Sequence, residues 1–90
     1  MEFVVNEPGC ERLIQDMDAG LREIKRLADE MQEADSMLRS ALGEDYDAVG
    51  RSTRYVISQL GEADREMSGI IRDMREYMAR VKRTRVILNG

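Results

Sequence analysis

The residues able to do chemistry are few. Cys10 is the sole cysteine among 90 residues, and the chain has no histidine. A thiol or hydroxyl nucleophile needs a base to take its proton, most often an imidazole. Without one, Cys10 reads as an ordinary apolar thiol on a helix face. The stretch Asp45-Tyr46-Asp47-Ala48-Val49-Gly50 matches part of a calcium loop, with acids at positions one and three and glycine at six. Position five is Val49 and position twelve is Val56, where an oxygen ligand and a bidentate Glu are needed, so the loop fails. Asp29, Glu30, Glu33 and Glu44 have the types of carboxylate metal ligands, but acids on a helix mostly face water. The glycines are scattered and form no phosphate loop. Arg80, Lys82, Arg83 and Arg85 make a basic cluster without interleaved aromatics, which suits the negative end of a helix better than nucleic acid. No constellation for catalysis remains, and no cofactor or metal is expected.

The elements that carry these residues are helical. The chain is 42% hydrophobic and 36% charged, with aromatics at 4%, seven methionines and one proline. That is the composition of long amphipathic helices. A chain this short buries little without a staple. One cysteine excludes an internal disulfide and the lack of histidine disfavours zinc, which leaves association. Residues 1–47 hold thirteen acids and five bases, a net of −8; residues 48–90 hold five acids and nine bases, a net of +4. Two segments lying side by side fit this split better than a nucleic-acid binder, whose whole domain is usually basic.

Asn6 is a good cap and Pro8 suits a first turn, so helix 1 is expected over about 7–42, with Phe3 or Val5 packing back as a staple. Its apolar residues recur every seven positions: Cys10, Met17, Ile24, Met31, Leu38; then Ile14, Leu21, Ala28, Asp35, Leu42; then the smaller Leu13, Gly20, Leu27, Ala34, Ala41. Three rows make a stripe wider than a two-stranded seam. Gly43 stands where a helix ends, and Glu44, Asp45 and Asp47 belong to a helix start. A turn at about 43–45 is followed by helix 2 over about 46–84. Its rows are Val49, Val56, Ala63, Ile70, Tyr77 and Thr53, Leu60, Met67, Met74, Val81, flanked by Ile57, Asp64, Ile71 and Met78. Residues 85–90 are left as a tail, apolar at 86–88.

A turn this short forces antiparallel helices. The expected architecture is all-α: an antiparallel two-helix hairpin that dimerises into a four-helix bundle. Facing residues should have numbers summing to about 88, setting Leu38 near Val49, Met31 near Ile57, Met17 near Ile70 and Ile71, and Cys10 near Met78. Asp35 should meet Arg51 and Arg54, and Asp64 should meet Arg22 and Arg26, as pairs that fix register.

The chain resembles the WXG-type small proteins of type VII secretion in Gram-positive bacteria. The corresponding turn is Ala41-Leu42-Gly43, preceded by a long helix opened by Asn6-Glu7-Pro8 after apolar Phe3-Val4-Val5. Ala41 stands where that family has tryptophan. Tyr77 is followed four positions on by Val81, where the family's export signal has an acid. The resemblance implies a helical hairpin that dimerises, and pairing of a motif-poor member with the helical N-terminal region of a larger LXG-type toxin as its targeting partner or chaperone.

The expected function is therefore helical protein–protein interaction, as a secretion substrate or targeting partner, through Met17, Leu21, Ile24, Met31, Leu38, Leu60, Met67, Ile70 and Met74. The partner is a second copy or another helical protein. An adaptor or structural coiled coil unrelated to secretion is the alternative. No apolar run is long enough to span a membrane, and residues 1–8 do not form a signal peptide. A cytoplasmic protein is expected, with export open only to a route without a signal peptide.

Overall fold

The computed structural model describes the backbone of residues 5–89 and the side chains of residues 5–84. It is all-helical, with no strand among the described residues. Helix α1 spans Glu7–Leu42, a 3-10 turn spans Gly43–Tyr46, and helix α2 spans Asp47–Asn89. An unbroken helix of this many residues would measure roughly 120 Å at about 1.5 Å per residue. The molecule measures 69 × 18 × 18 Å, because α2 runs back along α1.

The local reasons for these boundaries are visible. Asn6 caps α1 by accepting a hydrogen bond from the Gly9 N–H at 3.0 Å, and Pro8 occupies the first turn, where a missing N–H costs nothing. Gly43 ends α1. Its backbone sits at φ 54°, ψ −119°, and its N–H reaches the Arg39 carbonyl. Those angles suit the first central residue of a type II′ turn, which side chains disfavour. A Cβ there would meet nothing within 4 Å, so the demand for glycine is one of backbone conformation.

Two heptad rows from each helix form the seam. On α1 they are Cys10, Met17, Ile24, Met31, Leu38 and Ile14, Leu21, Ala28, Asp35, all buried or half-buried. On α2 they are Gly50, Ile57, Asp64, Ile71, Met78 and Thr53, Leu60, Met67, Met74, Val81, again all buried or half-buried. Ile14, Ile71 and Met78 make the buried cluster, with Val5, Cys10, Met17, Leu21, Met67 and Met74 packed against it. Gly20 lies across from Met67, whose sulfur would be 3.9 Å from a Cβ at that position.

Several expectations are corrected here. Helix α2 does not end near 84. Between Gly69 and Gly90 the sequence holds neither glycine nor proline, so nothing stops the helix before Asn89. Arg80, Lys82 and Arg83 therefore precede the last turn; the side chain of Arg85, like Phe3 and the side chains at 86–88, lies outside the described residues. The row that faces α1 is Gly50, Ile57, Asp64, Ile71 and Met78, one residue on from Val49, Val56, Ile70 and Tyr77, which are exposed. Asp64 does not pair with Arg22 or Arg26. It accepts a hydrogen bond from Ser68 at 3.1 Å, while Arg26 bonds to Glu23 and Glu30 on its own helix. A partner one turn away on the same helix needs no reach across the seam.

Candidate interaction face

The two long sides of the helix pair differ in chemistry. One side carries Glu11, Asp18, Lys25, Gln32 and Arg39 from α1, and Arg54, Gly61, Ser68, Arg75 and Lys82 from α2. Lys82 donates to Glu11 at 2.8 Å, and Arg75 donates to Asp18. These cross-helix pairs are mostly exposed, and exposed pairs contribute roughly 0–1 kcal/mol each, so they align the helices more than they hold them.

The opposite side is apolar. Helices running in opposite directions are related by a twofold axis normal to their common plane, so equivalent rows fall on one side. The row before the α1 seam is Leu13, Gly20, Leu27, Ala34, Ala41; the row before the α2 seam is Val49, Val56, Ala63, Ile70, Tyr77. Their numbers pair at a constant sum of 90, which stacks five levels: Leu13 with Tyr77, Gly20 with Ile70, Leu27 with Ala63, Ala34 with Val56, and Ala41 with Val49. The stripe is about 42 Å long at ~1.5 Å per residue. Leu13 and Ile70 are each 50% exposed, and Leu27, Val49, Val56 and Tyr77 are each more than 40% exposed. Met37, exposed beside this stripe, widens it near the turn.

Most of the residues expected to bind a partner lie in the seam. Met17, Leu21, Ile24, Met31, Leu38, Leu60, Met67 and Met74 are half-buried between the helices, and Ile70 is the one on the exposed side. The turn residues Ala41, Leu42 and Gly43 are exposed at its turn end. The exposed Leu13 and Leu27 belong to the smaller third row of α1, whereas Val49, Val56, Ile70 and Tyr77 belong to a principal row of α2 expected to face α1; periodicity alone separates neither from the seam.

The turn itself is fastened by a polar cluster. Tyr46 is buried, and its hydroxyl donates to the Asp35 carboxylate. Arg39 Nε donates to the same carboxylate at 3.1 Å. The Arg39 and Arg54 guanidiniums lie 4.5 and 5.4 Å from the centre of the Tyr46 ring, within cation–π range. Arg54 thus approaches Asp35 as expected from the sequence, but through the ring; Arg51 is exposed. The Tyr46 hydrogen bond, with help from Arg39, holds the Asp35 carboxyl below its ordinary pKa despite burial. The same bond, together with burial, pushes the Tyr46 phenol up. A carboxylate locked in its ionised form and a phenol locked in its neutral form make a poor acid–base pair near neutral pH. The cluster is a clamp. Gly50, buried beneath the ring, leaves the space for it, since a Cβ there would overlap the Tyr46 ring.

Among the described residues, no group of His, Cys, Asp and Glu side chains is placed to hold a metal, and no buried side-chain N or O lacks a hydrogen-bond partner. No described helix is long and apolar enough to cross a membrane. Compared with known families, characterised proteins and solved structures, the chain matches none.

Proposed function

We propose that this chain is an antiparallel helical hairpin that supplies half of a four-helix bundle, its apolar side closed by the helices of a partner. The observation that carries this reading is the unequal burial of its apolar residues. Among the described side chains, four hydrophobic ones are buried while nine large ones are exposed, six of them in the two aligned rows. A contiguous exposed stripe of this kind marks an association surface. Closing it with two further helices is the simplest bundle. In this reading the chain is a binding module with no catalytic step.

The biological role proposed is that of a WXG-like substrate or targeting partner for a larger effector of type VII secretion. Its support is the sequence resemblance around Ala41-Leu42-Gly43, together with a helix break at a glycine that needs a positive φ. Tyr77, followed by Val81 in place of an acid, fits a chain that accompanies a cargo better than one that carries its own export signal. The test is a tagged pull-down from the native organism, analysing lysate and medium, with wild type beside a Leu27→Asp/Ile70→Asp variant. Equimolar recovery of one larger protein with a helical N-terminus, lost in the variant while helicity by circular dichroism is kept, supports the reading. Equal recovery by both refutes the role of this side. Recovery of only the chain itself, as dimers or filaments, supports an adaptor coiled coil.

A further inference from the structure

The charges around the apolar side are segregated. The rows that border it are Asp16, Glu23, Glu30, Met37 on α1 and Ser52, Gln59, Glu66, Asp73, Arg80 on α2, all exposed. Five acids stand there. Among the described side chains, Arg80 is the one Lys or Arg in either the apolar rows or their borders. The remaining described bases sit on the ion-paired side or on the backs of the helices. Arg26 bonds to Glu23 and Glu30 from behind, and its hydrogen bond holds the Glu23 carboxyl below its ordinary pKa. The acids also cluster along the axis. Asp16 lies level with Asp73 and Glu23 with Glu66, so four of the five acids stand in the half away from the turn, whereas Glu30 lies level with Gln59 and the borders beside the turn are Met37 and Ser52.

Resting on the proposed docking role of this side, we infer that its occupant is a helical segment of another protein whose apolar stripe is bordered by Lys and Arg where it covers the half of the face away from the turn. A second copy aligned in parallel would set these acids against each other. A second copy aligned antiparallel over the same levels would set Asp16 and Asp73 against uncharged Met37 and Ser52 and bring Glu30 level with Glu23 and Glu66, so none of the five acids would gain a base. A basic-bordered helix alone among these satisfies both the apolar rows and their rims, and complementary rims set partner choice in helical assemblies.

The probes are two synthetic helices with one Leu/Ile stripe, one bordered by Lys and one by Glu, titrated into the full chain by fluorescence anisotropy. The Lys-bordered peptide should bind about tenfold tighter at about 50 mM salt, and the preference should shrink at about 300 mM. In the Asp16→Lys/Glu66→Lys/Asp73→Lys variant the preference should invert. Equal binding of both peptides, abolished by Ile70→Asp, overturns the charge selection and leaves the docking face standing. No binding of either, or binding indifferent to Ile70→Asp, overturns both. A stable dimer of the chain that neither peptide displaces makes a second copy the occupant and overturns the inference.

Discussion

Ile70 and Ile71 are neighbours in sequence and face different surroundings. Ile71 is 3% exposed in the seam, and Ile70 is 50% exposed on the apolar side. Truncating each to alanine in the isolated chain separates the two positions. A buried Ile→Ala change costs about 2–5 kcal/mol, and the low end applies because the seam is thin and its neighbours half-buried. A loss of about 2–3 kcal/mol lowers Tm by roughly 10–20 °C in a domain of this size. Ile70 forfeits about half the burial of three carbons, roughly 1 kcal/mol, and recovers a few tenths because alanine is the better helix former. Its Tm should fall by less than about 6 °C. Thermal melts followed by circular dichroism, at several protein concentrations, check both values. Equal losses, or a larger loss at Ile70 that does not vary with concentration, would refute the assignment of rows to seam and surface.

Gly43→Ala forces a side chain onto a positive φ and should cost about 1–3 kcal/mol, measured by urea unfolding. Gly50→Ala should displace the Tyr46 ring, read as altered near-ultraviolet circular dichroism with far-ultraviolet helicity kept. The Asp35 carboxyl has a lowered folded pKa, so its contribution to stability is present above the unfolded value near 4 and is lost as pH falls through the folded one. Tyr46→Phe should flatten that acid dependence in melts across the pH range, because the first cause of the depression is gone. The Tyr46 phenol has a raised pKa, so its contribution is full below the unfolded value near 10 and is lost as pH rises through the folded value.

The helical class was legible because seven-residue periodicity survives in both halves and because Asn6, Pro8 and Gly43 punctuate it. The choice of seam on α2 was harder. Rows 49–77 and 50–78 are adjacent and both apolar, and hydrophobicity favours Val49 and Val56 over Gly50 and Asp64. What decides is the turn: Tyr46 must lie over a residue without a side chain, which brings Gly50 inward and carries Ile57, Ile71 and Met78 with it. The Asp35–Tyr46 bond was missed for a related reason, since its partners are eleven residues apart and meet through the turn's conformation. The basic residues from Arg80 to Arg85 predict an end near 84, but charge alone does not stop a helix, and no helix breaker stands between Arg80 and Asn89. The apolar side is legible on α1 as a smaller third row and on α2 as a row expected in the seam, and its exposure follows only once the seam is assigned.

The most direct test of the docking face is thiol footprinting of the partner complex. In a Cys10→Ser background, single cysteines are placed by Val56→Cys on the apolar side and by Arg65→Cys on the back of α2, and maleimide labelling rates are compared free and bound. The account predicts strong protection at Val56→Cys and none at Arg65→Cys. Equal labelling of the bound and free chain at Val56→Cys, or protection confined to Arg65→Cys, would contradict it.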